Sequence, residues 1–267
     1  MLEHLTLAKK IAEEAAALTL RYYHESSRLK VFRKDDESPV TIADRETELL
    51  IRKQIEEQFP NDSILGEEYP NKEGSSGYRW ILDPIDGTKS FIHHVPLYSC
   101  LIGVEKDGRN IAGVIALPAT GEMYWAARGT GTFRSSLNSL PQNSEPERVS
   151  VSQCSELKEA LFLTSEVKTF KEVQREHIYK TLEEKSRLTR TWGDGYGYAM
   201  VACGRADIMV DPLLSDWDTG PLLVIIEEAG GHFTDWKGNA TSYGKEGVAT
   251  NGLLHTEVLR ILNETAG

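Results

Sequence analysis

The stretch 83–88 reads DPIDGT, which places Asp83 and Asp86 three residues apart at the end of the apolar run 80–82. An unpaired carboxylate at the end of a buried strand is costly, so we expect a positive charge between the two acids. Gly87 lets a ligand approach the backbone closely, and amide groups at such a turn bind anions. The stretch therefore predicts divalent cations on the acids and a phosphate group on the amides.

Two further acidic motifs accompany this stretch. Glu67 and Glu68 follow Gly66 at the end of a short predicted strand, and Asp218 follows Trp217 just before a predicted helix. Taken singly, each of the three motifs has a simpler interpretation: an exposed acidic turn, a turn-forming aspartate, or a helix N-cap. Their conjunction in one chain is stronger evidence for a shared site.

The four acids Glu67, Asp83, Asp86 and Asp218 offer hard oxygen ligands, and no cysteine–histidine cluster accompanies them. Such ligands suit Mg²⁺ or Mn²⁺ rather than Zn²⁺. Mg²⁺ takes one or two carboxylates and keeps positions for water and phosphate, so these acids suffice for two or three ions that share ligands. Two ions about 3.5–4 Å apart form a clamp for displacement at phosphorus.

Composition narrows the class of partner. The chain has 267 residues and a net charge of −11, and its 30 Lys and Arg form no basic stripe, which argues against nucleic acid and anionic membranes. Cys100, Cys154 and Cys203 are odd in number, far apart and outside any C-x-x-C pattern, which argues against a disulfide framework and a thiolate metal site. No signal-peptide core and no run of about 18 apolar residues is present, which predicts a cytoplasmic protein.

The elements that must position these acids can be predicted in outline. Helical spacing of apolar residues predicts a helix over 2–25. A second helix is predicted to begin near Thr41 and to stop before Pro60, because Thr41 and Asp44 form a capping-box pattern. The segment 28–38 between them is charged and is expected to be mobile. Short strands separated by turn signals predict an antiparallel meander; they are expected at 63–66, 79–83, 97–105, 111–117 and 122–127.

The second half has a different pattern. Residues 135–149 are rich in Ser, Asn, Pro and Glu, which predicts a surface loop that joins an N-terminal half, 1–134, to a C-terminal half, 150–267. Beyond this loop, predicted strands alternate with predicted helices, as in a smaller α/β unit. The strands are expected at 160–164 and 206–210, and the helices around 170–184, 195–204, 217–229 and 253–264.

In order along the chain, these motifs resemble the signatures of the inositol monophosphatase family. The resemblance includes PVTIAD at 39–44, GEE at 66–68, DPIDGT at 83–88, Trp217-Asp218 and EEAGG at 227–231. It implies an α+β fold, a layered α-β-α-β-α sandwich of the inositol monophosphatase / sugar phosphatase type, with an antiparallel N-terminal sheet. It also implies Mg²⁺-dependent, lithium-sensitive hydrolysis of small phosphate esters by a homodimer.

The resemblance assigns roles to the ligands. Glu67, Asp83 and the carbonyl oxygen of Ile85 would hold the ion that activates water. Asp83, Asp86 and Asp218 would hold the ion that stabilises the leaving ester oxygen, and a weaker third ion would contact Glu67. A bound cation lowers the pKa of its water by several units, so these roles agree with the physical interpretation of the acids.

Further roles fall on the neighbouring residues. By the resemblance, Thr88, polarised by Asp44, would orient the attacking water, and the amides of Gly87 and Thr88 would hold phosphate oxygens, with Asp86 and Asp218 close to the substrate. Glu68 is expected to orient a ligand from behind or to balance charge. The pair His93-His94 is interpreted as loop surface, because the acids already supply the ligands.

Within the family, several stretches resemble the branch that acts on histidinol phosphate. They are DGTKSFI at 86–92 with VPLY at 95–98, TWGDGYGY at 191–198 and GRADIMVDP at 204–212. Lys89 fits the bisphosphate nucleotidase branch as well, so that residue alone does not decide. The expected reaction is hydrolysis of L-histidinol phosphate to L-histidinol and phosphate, with inositol-1-monophosphatase and 3'(2'),5'-bisphosphate nucleotidase as alternatives.

The charges of histidinol phosphate favour the branch that acts on this ester. Histidinol phosphate carries an ammonium and an imidazole group, and Asp194 and Asp211 fall where the family contacts the leaving alcohol, so both could make charge-assisted hydrogen bonds. Asp211 could equally bind a sugar hydroxyl, and Asp194 could cap a helix near Gly195. Arg190 and Gly193 are placed at the same pocket, although a solvated arginine at a strand end is as good an interpretation of Arg190.

Two other classes of protein are weighed against an enzyme. A binding or regulatory module with this fold would be favoured by missing acids, and every acid is present. A structural Ca²⁺ protein would show a contiguous loop of alternating acids, and the sequence has none. A metal-dependent phosphoric monoester hydrolase is therefore the expected class.

Overall fold

The computed structural model describes residues 2–25, 31–33, 39–137 and 145–264. Two long helices, α1 (Leu2–His24) and α2 (Ile42–Gln58), agree with the sequence expectation. The capping box of α2 is confirmed: Thr41 Oγ1 accepts the amide of Ala43 at 3.1 Å, and Asp44 accepts the amide of Thr41 at 2.8 Å. Strand β1 (Val31–Arg33) pairs antiparallel with β2 (Pro39–Thr41). The rest of the segment 28–38 that was expected to be mobile lies outside the described residues.

The larger sheet has seven strands in sequence order. They are β3 (Ser63–Gly66), β4 (Tyr78–Asp86), β5 (Ser99–Lys106), β6 (Arg109–Leu117), β7 (Glu122–Ala127), β8 (Gly131–Ser136) and β9 (Glu147–Val149). From β4 onward the neighbours are antiparallel, as predicted, but β3 runs parallel to β4 because residues 67–77 carry the chain back to the start of the sheet. At the β5–β6 turn, Asp107 and Gly108 have φ of 49° and 77°, the left-handed region that favours glycine and aspartate.

The predicted connection 135–149 differs from the structure at both ends. β8 continues to Ser136, and Glu147–Val149 pairs with it as β9, so these residues belong to the larger sheet. Residues 138–144 of the predicted loop lie outside the described part of the chain. The strand at 147–149 was missed because it has only three residues, two of them charged. The division into halves 1–134 and 150–267 stays a prediction.

The second sheet has five strands in the order β11-β10-β12-β14-β13. They are β10 (Leu161–Leu163), β11 (Leu188–Arg190), β12 (Ile208–Asp211), β13 (His232–Thr234) and β14 (Gly247–Thr250). β10 is parallel to both β11 and β12, whereas β14 is antiparallel to β12 and β13. The sequence predicts β10 and β12, which each contain three consecutive apolar residues, but not β11, β13 and β14, which do not.

Seven shorter helices complete the described chain. They are α3 (Thr88–Ile92), α4 (Val167–Glu172), α5 (Glu176–Lys185), α6 (Asp194–Ala202), α7 (Asp216–Thr219), α8 (Leu222–Glu228) and α9 (His255–Leu262). The helices predicted at 170–184 and 217–229 are each divided in two. Gln174, with φ of 59°, interrupts the first, and Pro221, which has no amide proton, interrupts the second. No helix in the described ranges combines the length and the apolar content that crossing a membrane requires.

The packing is the predicted α-β-α-β-α sandwich. α1 and α2 cover one face of the larger sheet, where Ile11, Ile51 and Trp80 are buried. α6 and α8 fill the space between the two sheets with an apolar core that includes Leu223 and Met209. α5 and α9 cover the outer face of the second sheet. The ends of β4, α6 and α7 therefore meet between the layers.

Candidate active site

Asp83 and Asp86 share one site because β4 is irregular between them. The pairing register of β4 with β5 shifts between these two residues. The amide of Ile85 donates to Asp83 Oδ1 at 3.1 Å, which fixes the bend. After Asp86, Gly87 adopts φ of 81° and the chain turns directly into α3. This left-handed conformation explains the glycine that the sequence places there.

Asp218 reaches the same point from α7. Ser215 is the N-cap of this helix, and its amide donates to Asp218 Oδ2 at 2.7 Å in a capping box. The alternative that Asp218 itself is the N-cap is therefore wrong, because it occupies the third helical position. The capping box holds its carboxylate toward β4, against which α7 packs.

The three acids form one cluster. Carboxylate oxygens of Asp83, Asp86 and Asp218 all lie within 4.8 Å of one another. Burial and then the nearby Glu67 raise the pKa of Asp83 well above its usual value, and burial followed by Asp86 does the same for the pKa of Asp218. Burial raises the pKa of Asp86 to about 6. Mutual repulsion of this kind marks a place where a cation would be stabilised.

Glu67 lies beside this cluster, directly after β3, and is not one of the three acids whose oxygens lie within 4.8 Å of one another. Gly66, the last residue of β3, pairs with Leu82, so Glu67 follows directly beside Asp83. Glu67 also lines the cavity described below. The next residue is held from the helix side, because the backbone amide of Glu68 donates to Glu48 Oε2 at 2.7 Å.

Thr88 and Asp44 meet across the site. Thr88 Oγ1 lies 3.4 Å from Asp44 Oδ1 and 3.1 Å from the carbonyl oxygen of Ile85. The other oxygen of Asp44 accepts the amide and the hydroxyl of Thr41, so the carboxylate is fixed by the first turn of α2. Burial raises the pKa of Asp44 to about 6. The arrangement gives Thr88 two acceptors for its one hydroxyl proton.

The start of α6 closes the site from the second sheet. Asp86 Oδ2 accepts the Gly195 amide and the Ser99 hydroxyl, each at 2.5 Å. A Cβ at Gly195 would lie 2.3 Å from Ser99 Oγ, so this approach requires glycine. Asp194 is the first residue of α6, with Gly193 as the N-cap, so the alternative that Asp194 caps the helix is wrong. Asp194 has φ of 54°, a conformation that aspartate tolerates better than most residues.

Asp211, at the end of β12, is bound by the chain through both oxygens. Oδ1 accepts from Thr164 Oγ1 at 3.1 Å and from the Ser165 amide at 2.8 Å. Oδ2 accepts from Ser165 Oγ at 2.9 Å and from the Tyr198 hydroxyl at 3.0 Å. Ser165 Oγ in turn accepts the Asp194 amide at 2.8 Å. Asp211 thus holds the turn that supports Asp194.

A cavity of about 300 Å³ lies beside the three-aspartate cluster, next to the turn that follows Asp86. It is lined by Glu67, Gly87, Thr88, Lys89, Ser90, Ser165, Glu166, Thr169, Asp194, Asp211 and Leu213. Lys89 is the basic residue of this lining, and its ammonium is paired with Glu166 at 2.5 Å across the cavity mouth. Burial and then Asp86 raise the pKa of Asp194 well above its usual value. The cavity is therefore acidic, and its single lysine is already matched by a carboxylate.

Two predicted substrate contacts, Arg190 and Gly193, do not line this cavity. The Arg190 side chain is exposed and donates to the carbonyl oxygen of its neighbour Thr189 at 2.7 Å, and the residue is absent from the described lining. A Cβ at Gly193 would lie 2.1 Å from Ser165 Cα, so Gly193 allows α6 to pack against that turn. The simpler interpretation of Arg190 as a solvated arginine agrees with this geometry.

Several residues that support the site were not predicted from the sequence. Ser165 and Glu166 line the cavity, and Glu48 and Arg52 lie behind Glu67. A signal for the last two was present: with Asp44 they form a set of charged residues at i, i+4 and i+8, which share one helix face. A charged stripe on the face that should pack against the sheet indicates buried polar contacts.

The residues present fit a hard divalent cation. Three aspartates with oxygens within 4.8 Å supply oxygen ligands, and Glu67 follows β3 beside them. No cysteine or histidine belongs to the metal-capable group found among the described residues, which disfavours zinc. The donor chemistry agrees with Mg²⁺ or Mn²⁺.

The fold and the site together define the class of protein. The sequence profile described as "Inositol monophosphatase family" matches residues 1–266. The chain therefore belongs to the inositol monophosphatase family, a metal-dependent group, and the resemblance drawn from the motifs is confirmed.

The chain is also similar to individual proteins of known sequence or structure. The chain is 42% identical over 250 residues to a histidinol-phosphatase of Chlorobaculum parvum, covering 94% of this chain and 92% of the relative. It is 38% identical over 261 residues to a histidinol-phosphatase of Mycobacterium tuberculosis, covering 98% of both. Among solved structures, the extragenic suppressor protein suhB of Bartonella henselae superposes with a TM-score of 0.89 at 26% identity, covering 99% of this chain and 100% of that one. The last match supports the layered fold directly.

Proposed function

We propose that this protein is a Mg²⁺-dependent phosphomonoesterase that hydrolyses L-histidinol phosphate to L-histidinol and phosphate. The observation that carries the proposal is that the three-aspartate cluster lies next to Thr88, and that Thr88 lines an acidic cavity. Membership in the inositol monophosphatase family and relatives named histidinol-phosphatase support it. The proposal has two levels, the reaction and the substrate, and different residues carry each.

The reaction depends on the metal-binding acids. Asp83, Asp86, Asp218, Glu67 and the carbonyl oxygen of Ile85 would hold the ions. Mg²⁺ bound there would lower the pKa of its water and would neutralise the charge that develops on the ester oxygen. The chain contributes rigidity, because a capping box fixes Asp218 and two hydrogen bonds fix Asp86. Preorganised ligands of this kind need no rearrangement during the reaction.

Thr88 and Asp44 provide the proton relay in this proposal. The attacking water donates its proton to Thr88 Oγ1, while the Thr88 hydroxyl donates to Asp44 Oδ1, from which it is 3.4 Å away. Asp44 is held by Thr41 and cannot swing away from this contact without breaking the capping box. The amides of Gly87 and Thr88, at the turn that Gly87 makes possible, are the proposed partners of phosphate oxygens.

The acidic cavity supports a cationic leaving group. Asp194 Oδ2 lies only 2.8 Å from where a Cβ would stand on Gly87, so its carboxylate is next to the proposed phosphate position. Glu166 stands at the cavity mouth. An ammonium or imidazolium group would make charge-assisted hydrogen bonds here, which are stronger than those of a polyol. Asp211 is a weaker candidate for direct contact, since both its oxygens accept from the chain, and we propose that it acts by holding Ser165.

A turnover panel tests both levels. Purified protein with Mg²⁺ would be given histidinol phosphate, inositol monophosphate, adenosine bisphosphate and fructose bisphosphate, with phosphate release as the readout. We expect kcat/KM for histidinol phosphate to exceed the others by at least about tenfold, the ratio that one charge-assisted contact gives. A preference for inositol monophosphate would keep the reaction and reject the substrate. Absence of turnover on every ester would reject the enzyme itself.

Four finer features stay predictions. Mg²⁺ as the working ion, with Mn²⁺ as the alternative, is expected from the ligand chemistry, and inhibition by Li⁺ is expected from the family. A homodimer is expected on the family resemblance. The cytoplasmic location is expected from the sequence alone.

A further inference from the structure

Three charged side chains lie along one buried face of α2. Asp44, Glu48 and Arg52 are spaced four residues apart, and their exposed fractions are 1%, 0% and 9%. Charged residues are almost never this buried unless they are paired. Asp44 has a partner in the proposed reaction, whereas Glu48 and Arg52 do not line the described cavity. Their burial needs a separate explanation.

The explanation lies in the turn that carries Glu67. Glu48 Oε1 accepts from Arg52 Nε at 2.7 Å, which makes a buried ion pair. Glu48 Oε2 accepts the backbone amide of Glu68 at 2.7 Å, and Arg52 Nη2 donates to the carbonyl oxygen of Tyr69 at 3.1 Å. The ion pair thus binds one donor and one acceptor of the main chain immediately after Glu67.

The main chain before Glu67 is fixed by the same pair. A Cβ at Gly66 would lie 2.2 Å from Glu48 Oε1 and 2.8 Å from Arg52 Nη2, so the strand end lies directly against the two side chains. On its other side Gly66 pairs with Leu82 of β4, next to Asp83. The backbone on both sides of Glu67 is therefore held between α2 and the strand that carries the metal-binding aspartates.

We propose that Glu48 and Arg52 are positioning residues that hold Glu67 beside Asp83 and thereby set the affinity of the site for Mg²⁺. This inference rests on the proposed function, because Glu67 acts as a metal ligand only there. Groups that orient a metal ligand from behind change affinity by about 10–100-fold when removed. Stability alone does not require the pair, since buried ion pairs can often be replaced by apolar residues without loss.

Calorimetric titration of the metal-free full-length protein with Mg²⁺ tests this role without any turnover. The double variant Glu48→Leu/Arg52→Leu removes the contacts to Glu68 and Tyr69 and leaves no unpaired charge. We expect the affinity of this variant for Mg²⁺ to be lower than that of the wild type by about tenfold or more. The conservative double variant Glu48→Gln/Arg52→Gln retains an acceptor for the Glu68 amide and a donor for the Tyr69 carbonyl, and should stay within about threefold of wild type.

Matched controls separate positioning from general destabilisation. Ile55→Val lowers the stability of α2 from a fully buried position without touching the turn, and Lys53→Ala/Glu57→Ala removes an exposed pair on the same helix. Neither should change Mg²⁺ affinity. If the leucine variant does not fold, Gly66→Ala, whose methyl group must displace Glu48, should give the same loss.

The outcomes distinguish this inference from the function on which it rests. Wild-type affinity in the leucine variant or in Gly66→Ala overturns the positioning role, as does an equal loss in Ile55→Val. A wild-type protein that takes up no Mg²⁺ at all overturns the proposed function first. A wild-type protein that binds Mg²⁺ and hydrolyses phosphate, with unaffected variants, leaves the function intact and rejects only this inference.

Discussion

Thr88 Oγ1 lies 3.4 Å from Asp44 Oδ1, so the first residue of α3 faces the first turn of α2. The two residues come from different layers of secondary structure, since α2 covers the larger sheet and α3 follows the end of β4. The Asp44 side chain cannot leave this contact easily, because it is also the partner of Thr41 in a capping box. The same carboxylate, Asp44, therefore closes the capping box of α2 and accepts the proton in the proposed relay.

Replacement of the Thr88 hydroxyl tests the relay. In Thr88→Val the side chain keeps its volume but loses the proton donor, and we expect kcat to fall about 10²-fold or more with KM nearly unchanged. Thr88→Ser keeps the hydroxyl and should retain activity within about tenfold. Steady-state kinetics on histidinol phosphate measure both. Equal activity of the valine and serine variants would contradict the relay.

Removal of the central ligand charge separates folding from catalysis. In Asp83→Asn we expect turnover to fall about 10³-fold or more, because the residue belongs to the metal-binding cluster. The metal-free variant should be at least as stable as the metal-free wild type, since burial and neighbouring acids raise the pKa of Asp83 and its charge is unfavourable there. Urea unfolding in a chelator compares the two. Near-wild-type turnover would reject the ligand role.

Chelation of divalent ions should lower the thermal stability. A ligand present at about 100 times its Kd stabilises the folded state by about 2.7 kcal/mol, which for a chain of this size raises the Tm by about 5–10 °C. We therefore expect a Tm difference of this order between samples with Mg²⁺ and with a chelator, measured by calorimetry. Asp83→Asn is the matched control and should show a much smaller difference. An identical difference in both proteins would place the ion elsewhere.

Asp194 should discriminate among leaving groups. Asp194→Asn keeps the size of the side chain but removes its charge, so KM for histidinol phosphate should rise about tenfold, the value of a charge-assisted hydrogen bond. KM for glycerol 2-phosphate, whose leaving alcohol is uncharged, should change by less than about threefold. Asp211→Asn is a useful contrast and should affect both substrates alike, because Asp211 binds the chain. Equal effects of Asp194→Asn on both esters would remove the argument for a cationic leaving group.

His255 should make stability depend on pH. Its ring nitrogens lie 3.2 Å from Thr234 Oγ1 and 3.1 Å from Thr250 Oγ1, and burial followed by the nearby His232 lowers its pKa to about 4. The unfolded chain takes up this proton near pH 6.5, so the contribution is fully present above pH 6.5 and is lost as pH falls toward 4.

The expected loss across this range is on the order of 2–3 kcal/mol. Urea unfolding at pH 7.5 and pH 4.5 in a chelator would measure it, with the wild type compared with His255→Gln. The variant should lose less stability over the same interval. His24→Gln, at an exposed position near the end of α1, is the control and should behave as wild type. An unchanged pH dependence in His255→Gln would contradict the prediction.

The sequence by itself determined the chemistry of this protein. Short motifs supply four carboxylates, and their preference for hard divalent cations does not depend on the fold. These carboxylates belong to Glu67, Asp83, Asp86 and Asp218. The two long N-terminal helices and the β5–β7 meander were also predictable, because periodicity over many residues and turn signals are local properties. Strands such as β13 and β14 escaped prediction because they lack the three consecutive apolar residues that mark β10 and β12.

Only the tertiary structure decided which side chains face the cavity. The spacing of Arg190 and Asp194 along the chain is equally compatible with a pocket contact for both, yet the fold exposes Arg190 and places the partly exposed Asp194 beside Gly87. The contact of Glu48 with the amide of Glu68 likewise joins residues whose proximity is fixed by the packing of α2 on the larger sheet at β4. Such contacts depend on the relative placement of whole layers, which short stretches of sequence do not encode.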